Sequence, residues 1–118
     1  MYTKHDFLEI SNIIRSNIPG VKEVILFGSY ARGEAREESD ADIAVIVEEK
    51  LTWEEELASL TKAWKILGKK GFHVDIIIKT TDEFDLDKVI PVTFSHTIFH
   101  EGKSLWKNSI SMKSSVSG

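Results

Sequence analysis

Two short apolar runs bracket the segment Gly28-Ser29-Tyr30-Ala31-Arg32-Gly33-Glu34-Ala35-Arg36-Glu37-Glu38-Ser39-Asp40-Ala41-Asp42. The run before it, Val21 to Phe27, follows Pro19-Gly20, and the run after it is Ile43-Ala44-Val45-Ile46-Val47. Apolar runs of this length bounded by turn residues read as buried strands. A Gly-Ser pair therefore ends one core strand, and two carboxylates two residues apart open the next. Side chains alternate faces along a strand, so Asp40 and Asp42 point the same way, with Cα atoms roughly 6.5 Å apart. Carboxylates on one face at that spacing suit divalent cations about 3.5–4 Å apart, as used for in-line phosphoryl or nucleotidyl displacement.

The Gly-Ser pair supplies a seat for phosphate. Gly28 lets backbone approach a ligand with no Cβ in the way. Ser29 offers a hydroxyl where a short helix would begin, and amides at a helix start attract phosphate. The competing reading is a charged loop, 34–42, that only solvates the surface. A lone Asp-x-Asp would fit that reading, but the upstream Gly-Ser pair at a strand end weighs against it. Two commoner phosphate motifs are excluded. Gly28 and Gly33 have P-loop spacing, yet Glu34-Ala35 follows where Lys and Ser or Thr are required. No G-x-G-x-x-G dinucleotide fingerprint is present.

A third carboxylate lies in Phe72-His73-Val74-Asp75-Ile76-Ile77-Ile78, read as a strand over 72–78. An Asp within such a run is costly to bury unless paired, hydrogen-bonded or metal-bound. If this strand lies beside the one opened by Asp40 and Asp42, all three carboxylates converge. A salt bridge or a loop cap is the plainer alternative for Asp75.

These residues resemble the polymerase-β-type nucleotidyltransferase superfamily. The match is to the minimal nucleotidyltransferase family, the antitoxin half of prokaryotic toxin–antitoxin pairs. Gly28-Ser29, Asp40-Ala41-Asp42, Arg32-Gly33 and Ser39 fit its G-S-x-A-R-G…S-D-x-D pattern over roughly residues 4 to 107. The resemblance implies a polymerase-β palm-like α/β (α+β) fold, with a small mixed sheet flanked by helices. It implies ATP as substrate and two Mg²⁺ ions held by Asp40, Asp42 and Asp75. Gly28 and Ser29 would bind the β and γ phosphates, and Asp75 would also help deprotonate the attacking hydroxyl. Arg32 would contact phosphate or pair with Glu34 or Glu38. The implied acceptor is a tyrosine of a HEPN-type toxin, which AMP transfer silences. A hetero-oligomer follows, with a homodimer as the other assembly. A binding-only antitoxin and a stand-alone small-molecule nucleotidyltransferase are the alternative functions.

Composition is consistent with this. A chain of 118 residues is one domain, here expected over 1–107, with a core large enough to fold alone. The net charge of -4 argues against broad nucleic-acid binding. A small basic patch of Arg32, Arg36, Lys69 and Lys70 remains for a nucleotide. Zero cysteines exclude disulfides and fit a reducing cytoplasm. Residues 1–6 lack a signal-peptide plan, and no apolar run reaches the ~20 residues of a membrane span.

Around the motif, Phe7, Ile10, Ile13 and Ile14 predict a helix over 4–17. Thr52 and Glu55 form a capping box for a helix reaching Gly68. Its stripe of Trp53, Leu57, Leu60, Trp64 and Leu67 reads as core-facing. Thr81 opens a short acidic turn or helix. Residues 91–101 read as a last helix with Pro91 in its first turn, and 104–106 as an edge strand. Residues 108–118 are Ser-rich and expected to be disordered. His96 and His100 share i, i+4 spacing but lack a third ligand, so ordinary histidines are favoured over a metal site. Phe94, Ile98, Phe99 and Trp106 pack on the sheet or offer a partner surface. That partner surface, around Phe94, Ile98 and Phe99, is expected away from the catalytic strands.

Overall fold

The computed structural model describes residues 1–108. The chain forms α1 (Lys4–Asn17), β1 (Val21–Phe27), α2 (Gly28–Arg32), β2 (Ala41–Val47) and α3 (Trp53–Lys69). It continues through β3 (Val74–Thr80), α4 (Thr81–Asp87), α5 (Phe94–Glu101) and β4 (Lys103–Lys107). The strands make one mixed sheet in the order β3-β2-β1-β4. β1 pairs antiparallel with both β2 and β4, whereas β2 and β3 are parallel. A parallel pair needs a crossover, and α3 supplies it. This is the expected small mixed sheet flanked by helices.

Alternation divides the strands between two apolar layers. Val24, Leu26, Ile43, Val45, Val47, Val74 and Ile76 pack with α1 and α3. Ile25, Phe27, Ala44 and Ile46 face the other way, onto Phe84 of α4 and Ile98 of α5. Both faces of β1 and β2 are covered, so these strands read as continuous apolar runs rather than alternating ones.

Helix starts follow side-chain caps. Thr3 with Asp6, Thr52 with Glu55 and Thr80 with Glu83 form reciprocal capping boxes. The helix expected over 91–101 begins instead at Phe94. Thr93 caps it by accepting the His96 amide at 3.1 Å, and Pro91 lies in the preceding turn. A threonine oxygen that satisfies a free helix amide sets the boundary better than proline does.

The α3 stripe also departs from expectation. Trp53 is 69% exposed and Leu57 53%, while Ser59, Ala63 and Leu67 are the buried positions. These smaller residues, four apart, form the inward face and let the helix approach closely. Trp64 is half-turned outward but donates its indole N–H to the Val74 carbonyl at 2.9 Å. The disordered tail expected over 108–118 falls outside the described residues, apart from Asn108. The Asn108 amide donates to the Lys22 carbonyl at 2.9 Å. None of the helices in the described residues is long and apolar enough to cross a membrane.

Candidate active site

β1 runs directly into α2 at Gly28, with no intervening loop. Gly28 has φ of +74°, a region costly for other residues. A Cβ there would overlap the Asp42 carboxylate and lie 3.2 Å from the Asp42 Cβ. Phe27 pairs with Asp42 across β1 and β2, which brings the acid beneath the Gly28 turn. Glycine is thus required twice, for its backbone angle and for the space that the carboxylate occupies.

An aromatic cluster holds α2 in place. Tyr30 stacks on Tyr2 at 5.5 Å and meets Phe7 edge-on at 5.3 Å. Tyr2 also meets Phe72 at 5.5 Å, and its hydroxyl accepts the His73 amide at 2.6 Å. Phe72 is thereby drawn into the cluster, and β3 starts at Val74, two residues later than expected. The N-terminus thus clamps the Gly-Ser turn to the start of β3. Sequence reasoning had no reason to single out Tyr2 or Tyr30.

The acidic residues are placed by register. Asp42 on β2 and Asp75 on β3 are direct Cα partners in the parallel pair. Both lie on the face shared with Ala44, Ile46 and Ile77, the face that α5 covers. The Ala41 amide donates to the His73 carbonyl at 3.0 Å and ties the starts of the two strands together. Just upstream, the Ser39 hydroxyl accepts the Arg36 amide at 2.8 Å and shapes the turn that delivers Asp40. Asp40 precedes β2 and is exposed. Asp75 is also exposed, at the second position of an edge strand. The argument that burial of Asp75 demands a partner therefore does not apply; its place opposite Asp42 singles it out instead.

Asp42 is the half-buried member of the group. Desolvation raises its pKa, the Asp75 and Asp40 charges raise it further, and Arg32 pulls it back in part. Three like charges are thus close enough to act on one another, and a cation would relieve their repulsion. Carboxylate oxygens are hard donors suited to Mg²⁺, so the donor chemistry fits. Among the described residues no three His, Asp or Glu side chains form a ready cation cage. Mg²⁺ is commonly held by one or two carboxylates together with substrate phosphates, and this site offers that partial set.

Gly28, Ser29, Arg32, Asp42 and Asp75 line one hollow of 490 Å³. Asp40 stands outside its wall. A separate hollow of 370 Å³ between α4, α5 and β4 contains none of the motif residues, and its Lys88 is paired with Asp85 at 2.9 Å. In the motif hollow, Arg32 is bound by Glu34 at 2.8 Å and by Glu101 at 3.2 Å. Lys70 of the expected basic patch pairs with Glu9 at 2.8 Å. Two of the four expected cations therefore already hold carboxylates.

The C-terminal surface is not remote from these strands. Phe94 lines the motif hollow and meets Phe27 edge-on at 5.3 Å. Ile98 is fully buried and belongs to the core. Phe94 remains half-exposed beside the site, whereas the half-exposed Phe99 lines the separate hollow. The expected partner surface around Phe94, Ile98 and Phe99 is thus corrected in part: Phe94 borders the site, because α5 packs on the carboxylate-bearing face, and Ile98 is core. His96 and His100 have ring centroids 4.1 Å apart on α5.

Residues 8–100 match the nucleotidyltransferase domain family. The chain belongs to this family. It is 33% identical over 99 residues to a Methanocaldococcus jannaschii protein with the provisional name protein adenylyltransferase, which covers 83% of this chain and 92% of the relative. It is 31% identical over 98 residues to the protein adenylyltransferase MntA of Shewanella oneidensis, covering 83% of this chain and 63% of that protein. Among solved structures, a toxin–antitoxin with AMP-PNP superposes with a TM-score of 0.59 at 26% identity, covering 88% of this chain and 75% of that one. The chain thus has the family's fold, with the Gly-Ser turn and the Asp42 and Asp75 carboxylates in one hollow.

Proposed function

We propose that this chain transfers AMP, or another nucleoside monophosphate, from a triphosphate to a hydroxyl on a partner protein. The observation that carries the reading is the register pairing of Asp42 with Asp75 beneath the Gly28 turn. The adenylyltransferase names of the relatives and the AMP-PNP in the neighbouring toxin–antitoxin structure support AMP as the group transferred.

In this reading the Gly28 and Ser29 backbone, with the Ser29 hydroxyl, holds the β and γ phosphates, and Arg32 adds a charge-assisted contact. Asp40, Asp42 and Asp75 would hold Mg²⁺, two ions in all, which when bound would supply positive charge against the triphosphate. Asp75, exposed at the mouth, takes the proton from the acceptor hydroxyl. The hydroxyl oxygen attacks the α-phosphorus in line, and pyrophosphate leaves.

The toxin–antitoxin pairing named for the neighbouring structure supports an acceptor on a second protein. We infer a HEPN-type toxin presenting a tyrosine, docked on the exposed apolar surface of α5 that begins at Phe94 beside the site. The setting is the cytoplasm, where ATP and Mg²⁺ are at hand. Coexpression with a HEPN-type helical protein, such as one encoded in a neighbouring reading frame, tests the reading. The partner should gain the mass of AMP with the wild-type chain and not with Asp42→Asn. An unmodified but neutralised partner would favour the binding-only antitoxin.

A further inference from the structure

Glu101, the last residue of α5, forms one wall of the motif hollow. One of its oxygens, Oε1, accepts both the Gly28 amide and Arg32 Nη1, each at 3.2 Å. Its side chain is only 26% exposed. The backbone behind it is fixed, because a Cβ on Gly102 would overlap the Ile98 carbonyl and the Ile25 side chain. The Gly102 amide donates to that same Ile98 carbonyl at 2.8 Å. The end of α5 is thus pressed onto β1, and Glu101 is directed at the Gly28 turn.

The two donors that Glu101 holds are those assigned above to the triphosphate. A phosphate oxygen and a carboxylate oxygen compete for the same amide and guanidinium hydrogens. Glu101 also adds a negative charge to a hollow that already contains Asp42 and Asp75. An incoming phosphate would meet that charge at short range.

We propose that Glu101 is a placeholder for the triphosphate: in the free protein its carboxylate occupies the Gly28 amide and Arg32, and the nucleotide binds by displacing it. The proposal rests on the assignment of Gly28 and Arg32 to phosphate. Glu101 keeps the turn ordered between turnovers. It also sets a threshold for occupancy. A singly charged anion gains little over the carboxylate it must evict, whereas a Mg²⁺-bound triphosphate gains several contacts at once. Glu101 is therefore a selectivity residue for multiply charged, cation-bound phosphates over simple anions.

Calorimetry with Mg²⁺-triphosphate, and separately with inorganic phosphate, tests this on the wild type, E101Q and E101A. Glutamine retains an acceptor oxygen and loses the charge; alanine removes both. E101Q should bind Mg²⁺-triphosphate about three- to tenfold more tightly than the wild type, with E101A at least as tight. Inorganic phosphate binding should become measurable in E101A. A merely structural residue would give weaker binding when removed, so the direction is diagnostic. The Gly28 amide resonance gives a second readout: it should shift on E101A substitution and on triphosphate addition to the wild type. Tightening with a shifted Gly28 amide supports the proposal, and equal or weaker binding by both variants overturns it. Wild-type binding with no gain in the variants defeats the placeholder alone. Absence of triphosphate binding by all three proteins defeats the phosphate assignment with it.

Discussion

Asp42 and Asp75 are Cα partners in the parallel β2–β3 pair, and both face α5. The pairing places two carboxylates on one side of the sheet with Asp40 near enough to add to their repulsion. A site of this kind is unfavourable by itself and becomes favourable with a cation, which makes its electrostatics measurable without any turnover.

Asp42→Asn should therefore stabilise the metal-free protein near neutral pH. The folded-state pKa of Asp42 is raised above its ordinary value of 3.8. Between the unfolded and folded values the native state holds more protons, so stability falls as pH rises through that window. The penalty is absent below the unfolded value and fully present above the folded one. Melting curves should show the variant above the wild type at pH 7, with the gap closing towards pH 3. Mg²⁺ should raise the wild-type melting temperature and leave the variant nearly unchanged. A variant that melts lower at pH 7 would mean that Asp42 has a structural role instead.

Gly28→Ala should damage fold and site together. The added methyl meets the Asp42 carboxylate, and the backbone lies at φ of +74°. Strain of this kind costs about 1–3 kcal/mol. Chemical denaturation should register the loss, and transfer activity should fall below detection even at temperatures where the variant is folded. Wild-type stability would contradict the close approach of turn and carboxylate.

Ser29→Ala should weaken triphosphate binding while leaving stability almost unaltered. One hydrogen bond to a charged group is worth about 1.5–3 kcal/mol, or roughly ten- to hundredfold in affinity. Calorimetry with an ATP analogue measures it. Unchanged affinity would leave the backbone amides and Arg32 to hold the phosphates without the hydroxyl.

Most of the fold could be read from the chain because its signals are local. Apolar runs bounded by turn residues marked β1 and β2, and Thr52 with Glu55 marked the start of α3. Errors arose where distant contacts decide. Phe72 looked like strand but is held by Tyr2. Only part of the apolar stripe on α3 faces inward: Leu60 and Leu67 pack on the core, whereas Trp53 and Leu57 are exposed and the smaller Ser59 and Ala63 are buried instead. The site was legible through Gly28, Ser29, Asp40 and Asp42, which lie close together in sequence. Arg32 was left between phosphate and Glu34 or Glu38, and it pairs with Glu34 and Glu101. Glu101 went unseen because 73 residues separate it from Gly28 and only the folded chain brings them together. A glutamate followed by glycine at a helix end is too common a pattern to single out.

Asp75→Asn offers the most direct test of the account. The substitution keeps the size of the side chain and removes the charge. It should leave partner binding nearly intact, since the shape of the side chain is kept and the apolar surface at Phe94 is untouched. The measurement is the intact mass of the helical partner after coexpression with each form, with growth scored in parallel. The account predicts a partner carrying AMP and normal growth with the wild type, and an unmodified partner with arrested growth for Asp75→Asn. Full rescue of growth by Asp75→Asn with no AMP on the partner would contradict it.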